Sequence, residues 1–169
     1  MRIFVLVMMC LTLISAETNV GRDKAEQLRE LSSVSEDNII VLNSTGYEHF
    51  IVDYPRPYDV VILFNADYNK FQCRPCQEIG EQFKEVSFSY TEQGAEYPSV
   101  DGSGNRQRAV FFATMDYAGE NQVLFKQHGF VSVPVLLVTH PKSIYFDGST
   151  YNVLREDQWE FHSGTDITA

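Results

Sequence analysis

Two cysteines stand three residues apart between a predicted strand and a predicted helix. Cys73 and Cys76 enclose Arg74, which adds a positive charge, and Pro75, which suits a first helical turn. Backbone N–H groups and the helix dipole stabilise a thiolate at such a position. We therefore interpret the pair as a dithiol redox site in which Cys73 is the nucleophile, with the lower pKa and the greater exposure. Cys76 lies on the apolar stripe of the helix, so we expect it to resolve a mixed disulfide made by Cys73.

Two other interpretations of the CxxC pair are a stapling disulfide and half of a zinc site. A bridge that closes so short a loop constrains the unfolded chain less than a bridge that closes a long loop. Zinc would need two more Cys or His ligands at short spacing. The histidines are instead scattered singly, at His49, His128, His140 and His162. Redox chemistry is favoured over both, and we expect no metal and no cofactor.

The elements on either side of the CxxC pair place it at the end of a sheet. Residues 58–65 are a β-branched and aromatic run that suits a buried central strand. Residues 74–91 form a helix, because apolar residues recur there at helical spacing. The residues of this stripe are Cys76, Ile79, Phe83, Val86 and Tyr90. A strand that leads into a helix through CxxC is the context in which this spacing indicates redox chemistry.

Residues 1–16 have the features of a secretory signal peptide: Arg2, an apolar run too short to span a bilayer, and small residues that end at Ala16. Cleavage there removes Cys10, so the mature chain would carry only the CxxC cysteines into an oxidising compartment. Losing Arg2 also moves the formal charge from −10 to −11. We expect so acidic a chain to bind neither nucleic acid nor anionic lipid.

The rest of the mature chain follows a βα rhythm. We expect, in chain order, an amphipathic helix at 17–37, a strand at 38–42, a helical turn at 47–52, a long polar loop at 92–108, a strand at 109–116, a helix at 121–128 and a strand at 131–138. A hairpin, 143–146 with 150–154, is expected to add an antiparallel edge to the sheet. His128 is interpreted as a helix C-terminal histidine that interacts with the dipole.

A second motif lies in the turn after the first predicted strand. Asn43-Ser44-Thr45 is an N-glycosylation sequon. Secretory proteins use such sequons often but not always. Asn43 is therefore a candidate glycosylation site.

A strand, CxxC at a helix start, a second βα unit, Val133-Pro134 at a strand head and a hairpin together resemble the thioredoxin fold. The resemblance implies an α/β fold with a mixed central sheet flanked by helices. In that family the matching proline has a cis peptide bond and faces the CxxC pair. It thus implies that Val133-Pro134 is cis and lies beside Cys73 and Cys76.

Within this superfamily the chain is similar to the lumenal domain of the oligosaccharyltransferase subunit 3 and subunit 6 (gamma subunit) family. The similarity rests on the N-terminal helix, residues 39–43, Pro-Arg-Pro-Tyr at 55–58 and residues 110–116, and it covers nearly all of residues 20–155. Gln72 and Arg74 stand where thioredoxins and disulfide isomerases carry Trp and Gly. These departures argue against the latter two as close relatives.

The family resemblance implies an accessory subunit of the oligosaccharyltransferase complex in the endoplasmic reticulum, which does not itself transfer the glycan. It would capture nascent polypeptides through transient mixed disulfides, and the other subunits of the complex would be its partners. The expected site residues are Cys73 and Cys76 for catalysis and for the disulfide, and Arg74, Pro75, Val133 and Pro134 for peptide binding, with the loop at 92–108 as a candidate rim.

Members of that family continue into four transmembrane helices, whereas this chain stops at Ala169. We expect a signal peptide at 1–16, a lumenal thioredoxin-like domain at 17–160 and a tail at 161–169, in a fragment or a soluble variant. Any membrane contact would be made by segments that this chain lacks. Two other functions remain open: a free lumenal thiol–disulfide oxidoreductase of the protein disulfide isomerase type, and a non-redox peptide-binding module whose CxxC stays oxidised.

Overall fold

A computed structural model describes residues 20–35, 37–92, 108–141, 143–153 and 158–166. Its elements, in chain order, are helix α1 (20–33), strand β1 (Ile39–Val41), helix α2 (Ser44–Tyr47) with a π-helical turn (Glu48–Val52), β2 (Tyr58–Asn65), α3 (Tyr68–Phe71), α4 (Arg74–Glu92), β3 (Ala109–Asp116), α5 (Asn121–Gln127), β4 (Ser132–Thr139), β5 (Ile144–Phe146), β6 (Tyr151–Val153) and β7 (Gln158–Asp166). The alternation of strands and helices expected from the sequence is confirmed.

A five-stranded sheet forms the middle layer, in the order β1-β3-β2-β4-β7. β2 pairs in parallel with β3 and antiparallel with β4, so it is the central strand that its apolar run predicted. β1 is parallel to β3, and β7 is antiparallel to β4. This mixed sheet with helices on both faces confirms the predicted α/β, thioredoxin-like fold class.

β2 is apolar on both faces because both are covered. Alternate side chains from Tyr58 to Phe64 are fully buried on one face, in a cluster with side chains of α1, α2 and α5. The side chains between them lie on the other face, where Leu63 packs with Phe83 of α4. Asn65 continues this second face at the end of the strand, which places it beneath the start of α4.

Cys76 and Phe83 of the predicted stripe of α4 are buried, and Ile79 and Tyr90 are partly buried. Val86 is 57% exposed, so its assignment to the core is wrong. Ser87, four residues after Phe83, is buried instead. Its hydroxyl donates a hydrogen bond to the Asp37 carbonyl at 3.1 Å, which satisfies the polar group inside the interface.

The C-terminal strands are arranged differently from the expectation. β5 and β6 pair only with each other, as a separate two-stranded sheet, so the predicted antiparallel edge on the main sheet is wrong for this hairpin. The turn at Asp147, whose carboxylate accepts from the backbone of Ser149 and Thr150, directs β6 back along β5. The edge is formed by β7, which runs across residue 160, where we expected the domain to end.

Two parts of the sequence interpretation lie outside the described residues: the signal peptide with Cys10, and most of the polar loop at 92–108. Among the helices that the structure describes, none is both long enough and apolar enough to cross a bilayer.

Candidate functional site

Cys73 and Cys76 form a disulfide at the start of α4, with their Cα atoms 5.2 Å apart. Cys73 has a relative exposure of 0% and Cys76 of 1%. The prediction that Cys73 is the more exposed cysteine is therefore wrong. Position in the sequence placed Cys73 before the helix, but the start of β4 packs against it, with the Val133 carbonyl 3.9 Å from its Sγ, and no local pattern could reveal that.

The short helix α3 brings the chain from the end of β2 to the CxxC pair. Asp67 begins it, because its carboxylate accepts from the backbone N–H groups of Asn69 and Lys70 at 2.6 and 3.2 Å. Gln72 ends it in the left-handed region, at φ 53°. This sharp turn redirects the backbone so that Cys73 immediately precedes α4.

Backbone N–H groups at the start of α4 point at Cys73. The N–H of Cys76 donates to Cys73 Sγ at 3.2 Å, and the N–H of Gln77 donates to the Cys73 carbonyl at 3.3 Å. A thiolate on Cys73 would accept the first of these bonds. The arrangement suits Cys73 as the sulfur that carries negative charge.

Arg74 contributes less charge to the sulfur than its position suggests. Its side chain is 83% exposed, and its Nε forms a salt bridge with Glu78 Oε1 at 2.9 Å. The pair is spaced one helical turn apart on the solvent face of α4. Neighbouring Pro75 occupies the first helical turn, as predicted.

The start of β4 places a proline beside the cysteines. Val133-Pro134 is cis, as predicted, and the Val133 carbonyl oxygen lies 3.9 Å from Cys73 Sγ. Val133 and Pro134 are both buried. Val131, two residues before Val133, is 59% exposed. The structure also has a cis bond at Tyr54-Pro55, which the sequence did not indicate.

The backbone edge beside the proline is occupied. Ser132 and Val133 pair antiparallel with Asp166 and Thr165 at the end of β7. An extended peptide could pair with this part of β4 only after the end of β7 has moved. This contact was missed because the sequence interpretation assigned residues 161–169 to a tail.

Asn65 is a site residue that sequence reasoning missed. Its Nδ2 donates to the Cys76 carbonyl at 3.1 Å, whereas its buried Oδ1 has no partner among the described residues. Asp116, its register partner on β3, lies on the same face. Burial, and secondarily Asp67, raises the pKa of Asp116. The available signal was a polar residue that ends the apolar run of β2.

His128 lies in an aromatic cluster behind the sheet and not in a dipole interaction. Its ring stacks between Phe130 and Tyr151, with centroids 4.9 and 4.6 Å away, and its Nε2 is 2.7 Å from the Tyr47 hydroxyl. Desolvation lowers the pKa of His128 to about 3. His128 ends α5 as its C-cap residue, as predicted, but the ring is neutral at physiological pH, so it does not interact with the helix dipole as a cation.

The remaining candidate residue, Asn43, follows the edge strand β1. It is exposed at the N-cap of α2, where its Oδ1 accepts from the Gly46 N–H at 2.8 Å. For metals, the described residues contain no group of three or more His, Cys, Asp or Glu side chains arranged to hold an ion.

The chain has recognisable relatives. It is 28% identical, over 131 residues, to the dolichyl-diphosphooligosaccharide–protein glycosyltransferase subunit MAGT1 of Xenopus laevis, covering 78% of this chain and 36% of that protein. It is 23% identical, over 125 residues, to the probable subunit 3 of the same transferase from Dictyostelium discoideum, covering 74% of this chain and 32% of that protein. This chain thus spans about a third of the length of these relatives.

Among solved structures, spinach chloroplast thioredoxin f in its long form matches with a TM-score of 0.47 and 16% identity, over 70% of this chain and 78% of that one. The model of the OST3 / OST6 family, described as a transporter family, matches residues 26–169. Because that match takes in far more than half of the sequence and agrees with both named relatives, the chain belongs to the OST3 / OST6 family.

Proposed function

We propose that this chain is the lumenal, thiol-reactive domain of an accessory subunit of the oligosaccharyltransferase complex, and that it holds nascent polypeptides through transient mixed disulfides near their glycosylation sites. The observation that carries the proposal is the Cys73–Cys76 disulfide at the start of α4, with the carbonyl before the cis proline 3.9 Å from Cys73 Sγ. Family membership supports a place in the complex, and this geometry supports thiol–disulfide exchange.

The capture step is a thiol–disulfide exchange. A substrate thiolate attacks Cys73 Sγ, a bond forms between these two sulfurs, and the Cys73–Cys76 bond breaks, so that Cys76 leaves as a thiolate. Cys76 then attacks Cys73 Sγ, restores the original disulfide and releases the substrate thiolate. The cycle has no net oxidation, so it holds a chain for a time without consuming an oxidant.

Burial controls entry to this cycle. Both sulfurs are inaccessible in the oxidised domain, so Cys73 must become exposed before a substrate sulfur reaches it. Peptide pairing with Ser132 and Val133 requires release of Thr165 and Asp166. Backbone pairing of this kind binds extended chains with little sequence preference, which suits a subunit that meets many nascent polypeptides. Arg74, Pro75, Val133 and Pro134 remain the proposed peptide contacts.

The proposed location is the endoplasmic reticulum, since the named relatives are subunits of a dolichyl-diphosphooligosaccharide–protein glycosyltransferase. Other subunits of that complex are the proposed partners. A free oxidoreductase of the disulfide isomerase type has the same site but would not co-purify with the complex, which separates the two.

A second candidate function is peptide binding without redox chemistry. It is favoured by one observation, the complete burial of both sulfurs in a closed disulfide. In that case the β4 edge would bind extended chains and the disulfide would only brace the start of α4.

The deciding experiment is mixed-disulfide trapping in cells. In Cys76→Ser the Cys73 thiolate attacks a disulfide of a secretory glycoprotein, forms a mixed disulfide and expels the second substrate sulfur as a thiolate. No resolving sulfur then reverses the step, so covalent adducts should accumulate and should be released by reducing agent. Cys73→Ser is the matched control, because it changes the same atom type in the same turn but leaves no attacking site at the helix start. Reducible adducts confined to Cys76→Ser support the proposal. If neither variant forms adducts while both fold and reach the lumen, covalent capture is excluded and the binding module is favoured.

A further inference from the structure

We propose that Asn65 is a positioning residue for Cys76, and that its side-chain amide favours the reduced form of the CxxC pair. The inference deepens the proposed function, on which it rests, because it concerns how readily the disulfide opens. It assigns a role to a polar side chain that the exchange mechanism above does not use.

Side chains alternate between the two faces of the sheet along β2, and this alternation places Asn65 against Cys76. Side chains at the odd-numbered positions of β2 face α4. Leu63, two positions before Asn65, packs on that helix. Asn65 therefore meets the first turn of α4, where its Nδ2 donates to the Cys76 carbonyl at 3.1 Å. Gly80, one turn further along, leaves room for the amide: a Cβ there would lie 3.4 Å from Asn65 Nδ2.

Among the described residues, the amide makes a hydrogen bond through its nitrogen but none through its oxygen. Its Oδ1 is buried and has no donor among the described residues. A buried acceptor without a donor is costly, and native structures reserve such groups for special sites. Asn65 is thus anchored through its nitrogen on the backbone carbonyl of the resolving cysteine, while its buried oxygen has no partner among the described residues.

Reduction changes what surrounds this oxygen. Two electrons and two protons, delivered by a dithiol or by two molecules of glutathione, convert the disulfide into two thiols. The Cys76 sulfur then gains an S–H donor that the disulfide lacks, and a thiol is a weak but real donor. Asn65 is held on the Cys76 backbone carbonyl, and the proposal assigns its unpaired oxygen as the acceptor of the new S–H donor. The bond exists only in the dithiol, so Asn65 stabilises the dithiol relative to the disulfide.

A purely structural role makes a different prediction. If Asn65 merely fastens α4 to β2, its loss lowers the free energy of unfolding of both redox states equally and leaves the redox equilibrium unchanged. If the proposal is correct, the reduced protein loses more stability than the oxidised protein, and the equilibrium moves towards disulfide by the same factor.

The test uses the full chain with Asn65→Leu, which keeps the volume and removes both polar atoms. The disulfide-to-dithiol ratio is measured in glutathione buffers, and urea unfolding is measured in the oxidised state and after reduction with dithiothreitol. We expect the ratio to rise about three- to tenfold, the range of one modest hydrogen bond, with the larger loss of stability in the reduced state. Thr114→Val is the matched control, since the Thr114 hydroxyl bonds the Leu63 carbonyl at 3.2 Å without reaching the cysteines; it should leave the ratio unchanged.

Equal loss of stability in the two states, with an unchanged ratio, would overturn the proposal. A second variant, Asn65→Ala, covers poor folding of the leucine variant: it also removes both polar atoms, so its ratio must move towards disulfide, and an unchanged ratio also contradicts the proposal. The unfolding measurements decide the role of Asn65 even if wild-type protein resists glutathione. That resistance would instead count against the proposed redox function, so the two failures are distinguishable.

Discussion

At the scale of single residues, His128 links the stability of the domain to pH. The folded protein holds the ring neutral, with its pKa lowered to about 3 by burial, whereas an unfolded histidine titrates near pH ~6.5. The stabilising effect of the neutral ring is thus complete above pH ~6.5 and is lost as pH falls from there towards about 3.

We predict that acid unfolding of the wild-type chain begins at higher pH than that of His128→Gln. Glutamine can still accept from the Tyr47 hydroxyl but does not titrate. The free energy of unfolding of His128→Gln should therefore be lower than that of the wild-type chain at neutral pH, and it should vary less between pH 6.5 and 4. The slope attributable to His128 approaches about 1.4 kcal/mol per pH unit. Glu48, whose pKa is raised by desolvation, gives an opposite slope in both proteins and cancels in the comparison. Parallel stability curves from urea unfolding across this range would contradict the account.

The two cysteines should differ in reactivity once reduced. Cys73 accepts the backbone N–H of Cys76 at 3.2 Å, an interaction that favours its thiolate. We predict that limiting iodoacetamide at acidic pH labels Cys73 before Cys76 in the reduced, folded protein, as peptide mass spectrometry would measure. Labelling of Cys76 first would reverse the assigned roles.

Residue-level inference from sequence succeeded where chemistry follows local spacing. The position of the Cys73–Cys76 pair at a helix start follows from the local CxxC spacing, and the cis bond of Val133-Pro134 was expected from the resemblance to the thioredoxin fold. The burial of Cys73, the contact from Asn65 and the neutral state of His128 were missed because each depends on which distant segment packs against the residue. No periodicity in the sequence reports such contacts.

At the scale of elements, the start of α2 combines a helix cap with a sequon. Asn43 Oδ1 caps the helix, which leaves Nδ2, the atom that carries a glycan, unpaired among the described residues. Asn43 and Thr45 are both exposed. Capping and glycosylation therefore use different atoms, and the fold can hold a glycan here without losing the cap.

We predict that the chain expressed in the secretory pathway carries one glycan, at Asn43. Endoglycosidase should increase the gel mobility of the wild-type chain and leave Asn43→Asp and Thr45→Val unchanged. Aspartate caps helices as well as asparagine does. The free energy of unfolding of Asn43→Asp should therefore stay within about 1 kcal/mol of the wild-type value. A lumenal wild-type protein without any mobility shift would show that the sequon is not used.

The end of β7 should control access to the site. Thr165 and Asp166 pair with the β4 edge beside the cis proline, so deleting residues 164–169 should expose this edge. We expect faster reduction of the Cys73–Cys76 disulfide and tighter binding of an extended cysteine-free peptide, measured by stopped-flow fluorescence and calorimetry. Unchanged rates and affinity would mean that β7 does not restrict the site.

Element prediction was accurate in the middle of the sheet and failed at its edge. β2 and β3 are continuous apolar runs that only a strand covered on both faces would carry, and α4 has a strong helical period. The hairpin β5–β6 was also recognised, but a hairpin pattern does not tell which strand it will join. β7 was missed because its mixed sequence has no clear alternation, and its pairing is a tertiary property.

For the molecule as a whole, the fold, the site and the relatives support one account. The chain is a thioredoxin-like domain of an OST3 / OST6 family member, and it carries a disulfide-bonded CxxC pair. Its formal charge of −10 would repel other acidic surfaces, so the account assigns recognition to backbone pairing and sulfur chemistry. The central claim is that this chemistry assists glycosylation of chains that contain cysteine.

The most direct test measures glycosylation-site occupancy by mass spectrometry in cells whose own copy of this protein is replaced. One line receives the wild-type protein, and the other receives Cys73→Ser/Cys76→Ser, which keeps the fold but cannot form a mixed disulfide. The account predicts lower occupancy in the double variant at sequons close to cysteines, and equal occupancy at sequons in cysteine-free stretches. Equal occupancy at both kinds of site, with both proteins present at the same level, would contradict it.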